Sequence, residues 1–358
     1  MRVSIIGGGV AGLSLAVHLA RRGVEARVYE MEYPGYSASG RSAGILVTIL
    51  PENLLPLALE SRDFYTGLPE SRGRISRADA LWIPEGRECS RRILDLHAEH
   101  GLEFREGVDP SEAAGLEYRA EWGHVITEYI VDTGWVVNAL QAEASRLGVE
   151  IVDARVELRG DVYYAVAGSV EKPVEAPVVV AAGPWTPSLA PGVEGLTVYR
   201  CQMASVEGTR PRLVVEDDEA GFYLVPVGVS RFNIGDGSNA MVENPLDGFN
   251  PDREDTLRVL EAYASRVEEG WEARIIQEWA APCVTTGDSY PVAAEVDSGV
   301  YVLTGFDGAG ITLAPAVARI LADHIVGGEP IPMWLAEARR RRGVEEPYNV
   351  CRGRIANW

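Results

Sequence analysis

The chain has 358 residues, 46% hydrophobic and 24% charged, with 33 basic and 53 acidic side chains for a formal net charge of −20. At about 150 residues per domain this length corresponds to two domains and excludes a peptide or a disulfide-stapled miniprotein, while the apolar fraction excludes a disordered chain. A surface this acidic repels phosphate backbones and anionic lipid, so nucleic acid and membrane surfaces are poor partners and the acidity serves solubility.

Of the basic residues only Lys172 is lysine, which leaves little room for lysine chemistry. Cys89, Cys201, Cys283 and Cys351 form no CxxC pair and match no zinc spacing with the histidines, so reduced, mostly buried thiols in a cytoplasmic protein are expected. No 18-residue apolar run stands out as a transmembrane segment. The one early apolar stretch, 3–20, is broken by glycines and His18, and reads as strand, turn and helix rather than as a signal peptide.

In chain order, that stretch predicts a strand over 3–6, a glycine turn, a helix over 10–22 and a second strand over 26–30. Gly7, Gly9 and Gly12 take the GxGxxG positions, which need a tight turn, close backbone approach to a pyrophosphate and close helix–sheet packing. The helix N-terminus, with Val10 and Ala11, turns its free N–H groups and positive dipole end toward phosphate. Glu30 ends the second strand, 18 residues after Gly12, where it can accept from ribose hydroxyls and disfavours a 2′-phosphate. The unit binds a dinucleotide, NAD or FAD rather than NADP, and does not by itself choose between the first two.

A polar, small-residue loop, SASGRSAGILV over 37–47, follows at once. Here the sequence resembles the FAD-dependent oxidoreductases of the D-amino-acid oxidase superfamily, which includes glycine oxidase, sarcosine oxidase and the D-amino-acid and proline dehydrogenases. The resemblance implies a second helix along the pyrophosphate and flavin, formed by Ser39, Gly40, Arg41, Ser42 and Ala43 with Gly44. Three later stretches resemble the same family in order. VVVAAGPWTPSLAP over 178–191 resembles its AAGxW segment, so Ala182, Gly183 and Trp185 would close over the cofactor. WAAPCVTTGDSYPVAA over 279–294 resembles WAGxRPxTxDxxPxIG. The 299–328 stretch resembles the closing strand, glycine loop and helix; there the backbone of Gly308, Ala309, Gly310, Ile311 and Thr312 would meet the pyrimidine end of the flavin, where negative charge develops on reduction.

The resemblance spans roughly 1–330 and assigns FAD as cofactor. It also implies a helix over 135–147 followed by a strand that places Val156 near the adenine. Short alternating strands such as GFYLVPV and RFNIG, with a helix over 252–267, predict a mostly antiparallel sheet roofing the flavin. The expected fold is therefore α/β: a Rossmann-type FAD-binding domain from 1–80, 131–195 and 283–335, and a mostly antiparallel substrate domain from 81–130 and 196–282. The extension 336–358, with Arg339 to Arg342, falls outside the family pattern and reads as a solvated helix end.

Five positions bear on chemistry: Tyr223, Cys283, Arg231, Arg41 and Asn233. Tyr223 stands where glycine-oxidase-like members carry a tyrosine that binds substrate carboxylate; the competing reading is a strand tyrosine at the surface. The family's carboxylate-binding arginine is replaced by Cys283, while Thr286, Asp288 and Pro291 keep their spacing. Either Arg231 or Arg41 then takes the carboxylate, or the substrate has none. Sarcosine-oxidase-like members attach FAD through a cysteine in this segment, so Cys283 is also a candidate covalent link, although the segment's length matches the non-covalent branch better. Asn233 occupies the place of the lysine that assists oxygen reduction in those members, which favours a dehydrogenase over an oxidase. His97 and His100 are read as a solvated helix face.

The expected activity is oxidation of an amine or amino-acid C–N bond by hydride transfer to flavin N5. The electron acceptor would be a quinone, a partner flavoprotein or oxygen, and a homo-oligomer or complex subunit is compatible with the chain. Oxidation of a 2-hydroxy acid or glycerol phosphate is the rival within enzymes, and a non-catalytic, electron-relaying FAD subunit is the rival outside them.

Overall fold

Short strands whose successive side chains point to opposite faces need a partner layer on each side. The computed structural model, which describes residues 1–236 and 240–336, supplies both. A six-stranded sheet runs in the order Val292–Asp297, Val300–Thr304, Val178–Val180, Arg2–Ile6, Glu25–Glu30, Glu150–Asp153. All its pairings are parallel except that of the first two strands. Val3, Ile5, Val28 and Val179 pack on one face under the helices Val10–Arg21, Thr133–Arg146 and Gly310–Gly327. Ile6, Tyr29, Val178 and Val180 pack on the other face, beside a three-stranded antiparallel sheet formed by Arg155–Arg159, Val162–Ala167 and Val170–Pro173. Lys172 lies exposed on the last of these strands.

The helix Val10–Arg21 is buried nearly all round because it is wedged between two other helices. Its Arg22 cap reaches Asp323 through Nε at 2.8 Å. The helix Thr133–Arg146 starts where Asp132 accepts from the Trp135 N–H at 3.0 Å, and Arg253–Arg266 starts where Asp252 accepts from the Glu254 N–H at 2.9 Å. Both helices agree with the sequence to within two residues.

The second body is a ten-stranded sheet built around Thr197–Glu207, Arg231–Gly235, Phe222–Pro226, Val214–Asp217, Ile75–Ile83 and Gly123–Val131, with Arg274–Thr285 paired along the whole of Thr197–Glu207. Among its pairings only Val214–Asp217 with Ile75–Ile83 is parallel. Val206, Val215, Leu224, Phe232 and Ile234 face a core closed by Val259 and Tyr263 of the helix Arg253–Arg266. The alternate residues, Tyr199, Cys201, Met203, Glu216 and Tyr223, face a cavity between the two bodies.

Three expectations are corrected. His97 is fully buried, not solvated: its Nε2 lies 3.0 Å from the Thr48 carbonyl oxygen, and burial pushes its pKa below the ordinary value. Cys89 is disulfide-bonded, so the thiols are not all reduced; Cys201 and Cys283 are free. The helix Gly310–Gly327, with mean hydropathy 1.2, is long and apolar enough to cross a membrane by length and composition. Its apolar residues are buried against Val10–Arg21 and Leu55–Thr66. Arg339 to Arg342 and Cys351 lie outside the described residues.

Candidate active site

The strand Arg2–Ile6 can turn directly into the helix Val10–Arg21 only because side chains are missing where the two meet. A Cβ on Gly7, at φ +111°, would lie 2.4 Å from the Ala181 carbonyl oxygen. One on Gly12 would lie 2.0 Å from the Gly7 carbonyl oxygen. Helix and sheet therefore touch through backbone, and the helix N-terminus opens into a cavity of about 650 Å³. The Val10 N–H donates to Ser39 Oγ at 3.0 Å, which ties the loop before the short helix Ala38–Arg41 to the glycine turn. Glu30 lines the cavity with its carboxylate held by the Gly8 N–H at 2.7 Å and the Glu32 N–H at 3.0 Å. Lone pairs remain to accept from sugar hydroxyls. Val156, with Ala154 and Arg155, lines the wall beside it.

The helix Gly310–Gly327 begins in the same cavity, with no side chain capping its first turn, and Gly308 to Thr312 all line the space. Its orphan N–H groups and dipole make this wall a site for developing negative charge. Asp307, at φ +47°, accepts from the Tyr199 hydroxyl at 2.9 Å, joining this loop to the roof sheet. Thr286 Oγ1 donates to the Tyr290 carbonyl oxygen, 2.8 Å away, and lies 2.9 Å from Asp288 Oδ1. The spacing noticed in the sequence thus staples the turn that follows Arg274–Thr285.

Over the far end stands the roof. Tyr223 lines it, its phenol pushed well above the ordinary pKa by burial and then by the nearby Cys201 and Glu216, so it remains a neutral hydroxyl. The competing surface reading of Tyr223 is thereby corrected. Cys283 and Cys201 lie side by side, and the Cys201 sulfur together with burial raises the Cys283 thiol pKa well above normal. Arg41 lies nearer the mouth, its guanidinium 5.1 Å from the Phe249 ring centroid and its carbonyl accepting from Trp279 Nε1 at 3.0 Å. Ser42, Ala43, Ala182, Gly183 and Trp185 line the intervening walls.

Five residues singled out in the sequence do not line the cavity. Gly12, Gly40 and Gly44 pack against backbone behind it. Asn233 and Arg231 sit on the strand Arg231–Gly235 away from it, with Arg231 exposed. Residues that sequence reasoning missed include Tyr36, Tyr199, Cys201, Glu216 and Asp307. The alternation of Thr197–Glu207 could have flagged Tyr199 and Cys201 as sharing a face; nothing in the sequence links Glu216 to them.

Residues 2–324 match the family described as FAD dependent oxidoreductase (DAO). The chain belongs to this family. As an FAD-dependent oxidoreductase it is 26% identical over 356 residues to glycine oxidase of Geobacillus kaustophilus, covering 90% of this chain and 92% of that protein. It is 24% identical to 4-methylaminobutanoate oxidase (formaldehyde-forming) of Paenarthrobacter nicotinovorans, covering 92% of this chain but only 44% of that longer protein. The solved L-proline dehydrogenase from P. horikoshii superposes with a TM-score of 0.81 at 19% identity, covering 95% of this chain and 97% of that one. The cavity fits FAD: two uncluttered helix N-termini, a glycine crossing that a Cβ would block and a carboxylate at the strand end lie along one continuous space.

Proposed function

We propose that this FAD-dependent oxidoreductase oxidises the C–N bond of an amine or amino acid. When bound, the flavin would accept the hydride from the carbon carrying nitrogen. The nitrogen lone pair closes the C=N bond, and water then adds to the imine and expels ammonia or an amine. The protein's task is to hold that carbon at near-attack distance and keep the other end of the substrate in place. In this reading Gly308 to Thr312 steady the charge that builds at one end of the site, and Tyr223 orients the substrate through its neutral hydroxyl. The FAD-binding part is drawn from 1–80, 131–195 and 283–335, and the roof from 81–130 and 196–282, except that Ile75–Ile83 and Arg274–Thr285 lie whole in the roof sheet.

The observation that carries the reading is the composition of the cavity wall, which includes neither histidine nor lysine among the described residues. Amine oxidation needs no side-chain base once the nitrogen is neutral, whereas oxidation of a 2-hydroxy acid must remove a hydroxyl proton. The activities of the relatives, on glycine and on 4-methylaminobutanoate, support an amine-bearing substrate. The same absence of lysine, with Asn233 outside the cavity lining, favours a dehydrogenase that passes electrons to a quinone or a partner flavoprotein over an efficient oxidase. FAD is held without a covalent bond, since the Cys283 thiol is held protonated by burial beside Cys201 and is a poor nucleophile.

Anaerobic bleaching of the oxidised-flavin absorption band by a panel of amino acids, amines and hydroxy acids tests the reaction class. Bleaching by amines and not by hydroxy acids is expected; bleaching by hydroxy acids alone would overturn the proposal. Mixing the reduced enzyme with oxygen or a soluble quinone tests the acceptor, with faster reoxidation by quinone expected. Acid precipitation should leave the yellow colour in the supernatant.

A further inference from the structure

Glu216 is an acidic side chain on the cavity's inner wall whose chemistry the proposed function leaves unused. It is 1% exposed, lies directly opposite Tyr223 across the Val214–Asp217 and Phe222–Pro226 pairing, and lines the cavity on the same face. Apart from the neighbouring Glu128 carboxyl, its Oε2 has no hydrogen-bond partner. Behind it lies the carboxyl of Glu128, 0% exposed, which meets only the Glu216 carboxyl and the main chain of Thr48. The other titratable groups facing the pair are Asp218 and Tyr223, and neither is a cation. The two arginines that line the cavity are engaged elsewhere: Arg155 beside the adenine-side wall and Arg41 stacked on Tyr36 and Phe249.

A buried carboxyl with an empty lone pair costs free energy until a donor reaches it. Two adjacent carboxyls, one opening into a ligand cavity, form a receptor for a positive group, because a cation beside them offsets the burial, and the like charge, that keep them from ionising. A substrate carboxylate at the same place would meet like charge or a desolvated acid.

Taking the amine-oxidation reading as its base, we propose that Glu216, backed by Glu128, binds a second positive group on the substrate. The substrate class is then an amine carrying a distal ammonium or guanidinium group, such as a diamine, rather than an amino acid anchored by its carboxylate. The distal group stays charged against Glu216 while the reacting amine lies over the flavin as the neutral base.

The test uses holoenzyme with its flavin chemically reduced under anaerobic conditions, so that amines bind without turnover. Calorimetric titration with 1,4-diaminobutane and with 1-aminobutane, each in two buffers of different ionisation enthalpy at neutral pH, reads affinity and proton release together. The diamine should bind about 10-fold or more tightly than the monoamine, the worth of one charge-assisted hydrogen bond. It should also release one proton more, because Glu216 ionises as the cation arrives. Glu216→Gln should level the two affinities and remove the extra proton while flavin content stays at the wild-type level. Glu128→Gln, which keeps the contacting carboxyl, should retain the preference in weakened form and serves if the first variant fails to fold. Equal binding of the two amines by wild-type enzyme, or an undiminished preference in Glu216→Gln, overturns the inference. Diamine binding with proton release in an enzyme whose oxidised flavin no amine bleaches would instead overturn the oxidation reading and leave this one standing.

Discussion

The two ends of the cavity are built by different means. At the cofactor end the protein presents main chain: the glycine turn at Gly7 to Gly9, the first N–H groups of Val10–Arg21 and the uncapped start of Gly310–Gly327. At the roof end it presents side chains drawn from separate strands, with Cys201 and Tyr199 on one, Glu216 on a second, Tyr223 on a third and Cys283 on a fourth. A backbone site demands small residues at fixed spacing, so it tolerates little change and leaves a motif. A side-chain site can be rewritten one residue at a time without disturbing the sheet that carries it.

Substitutions at the two ends should therefore fail differently. The largest effect is expected from Gly12→Ala, whose new Cβ would sit 2.0 Å from the Gly7 carbonyl oxygen. The helix must shift, at a cost of more than about 3 kcal/mol, and purified protein should lack the flavin absorption band. Retention of full flavin content would show that the crossing is more forgiving than the geometry indicates. Tyr223→Phe belongs to the other end: flavin content should be unchanged while kcat/KM falls about 10- to 100-fold, the loss of one buried hydrogen bond to a polar or charged group.

Glu128 sharpens the contrast through pH. Burial raises its carboxyl to about 8, against an ordinary value of 4.5. The folded state thus holds a proton that the unfolded chain releases above about pH 4.5. Its contribution to stability is fully present below that pH and is lost as pH rises toward 8. Glu128→Gln should raise the melting temperature at pH 8, by an amount equivalent to about 1–2 kcal/mol, and change it little at pH 4. A gain of the same size at both pH values would mean that titration is not the cause. The smallest effect is expected from Ser39→Ala, which removes the acceptor for the Val10 N–H. A loss of about 0.5–1 kcal/mol in thermal unfolding, with only a few-fold weaker flavin retention, would place this contact among ordinary helix caps.

The glycine unit shows how far sequence reading reaches. Gly7, Gly9, Gly12 and Glu30 are close in the chain, and their spacing alone demands a strand, a turn and a helix. The helices Thr133–Arg146 and Arg253–Arg266 were legible as amphipathic runs, and the structure adds the aspartates that cap them. His97 was misread because its helix looks polar, with a single apolar stripe that includes Ile93, Leu94 and Leu96; only packing reveals that the imidazole sits under the Thr48 carbonyl. Asn233 matches the position of a flavin-side residue by motif but does not line the cavity, to which no residue of the strand Arg231–Gly235 contributes.

What the sequence determined by itself is the cofactor end: a βαβ unit with its phosphate-facing glycines, and a membership in the FAD-dependent oxidoreductases carried by ordered local motifs. What only the tertiary structure decided is the roof end. Glu128 and Glu216 are 88 residues apart in the chain, and neither lies in a motif. Their carboxyls meet because sheet pairing brings Gly123–Val131 and Val214–Asp217 to the two sides of Ile75–Ile83. Local spacing encodes backbone geometry, whereas the chemistry of that wall depends on which strands the sheet sets side by side.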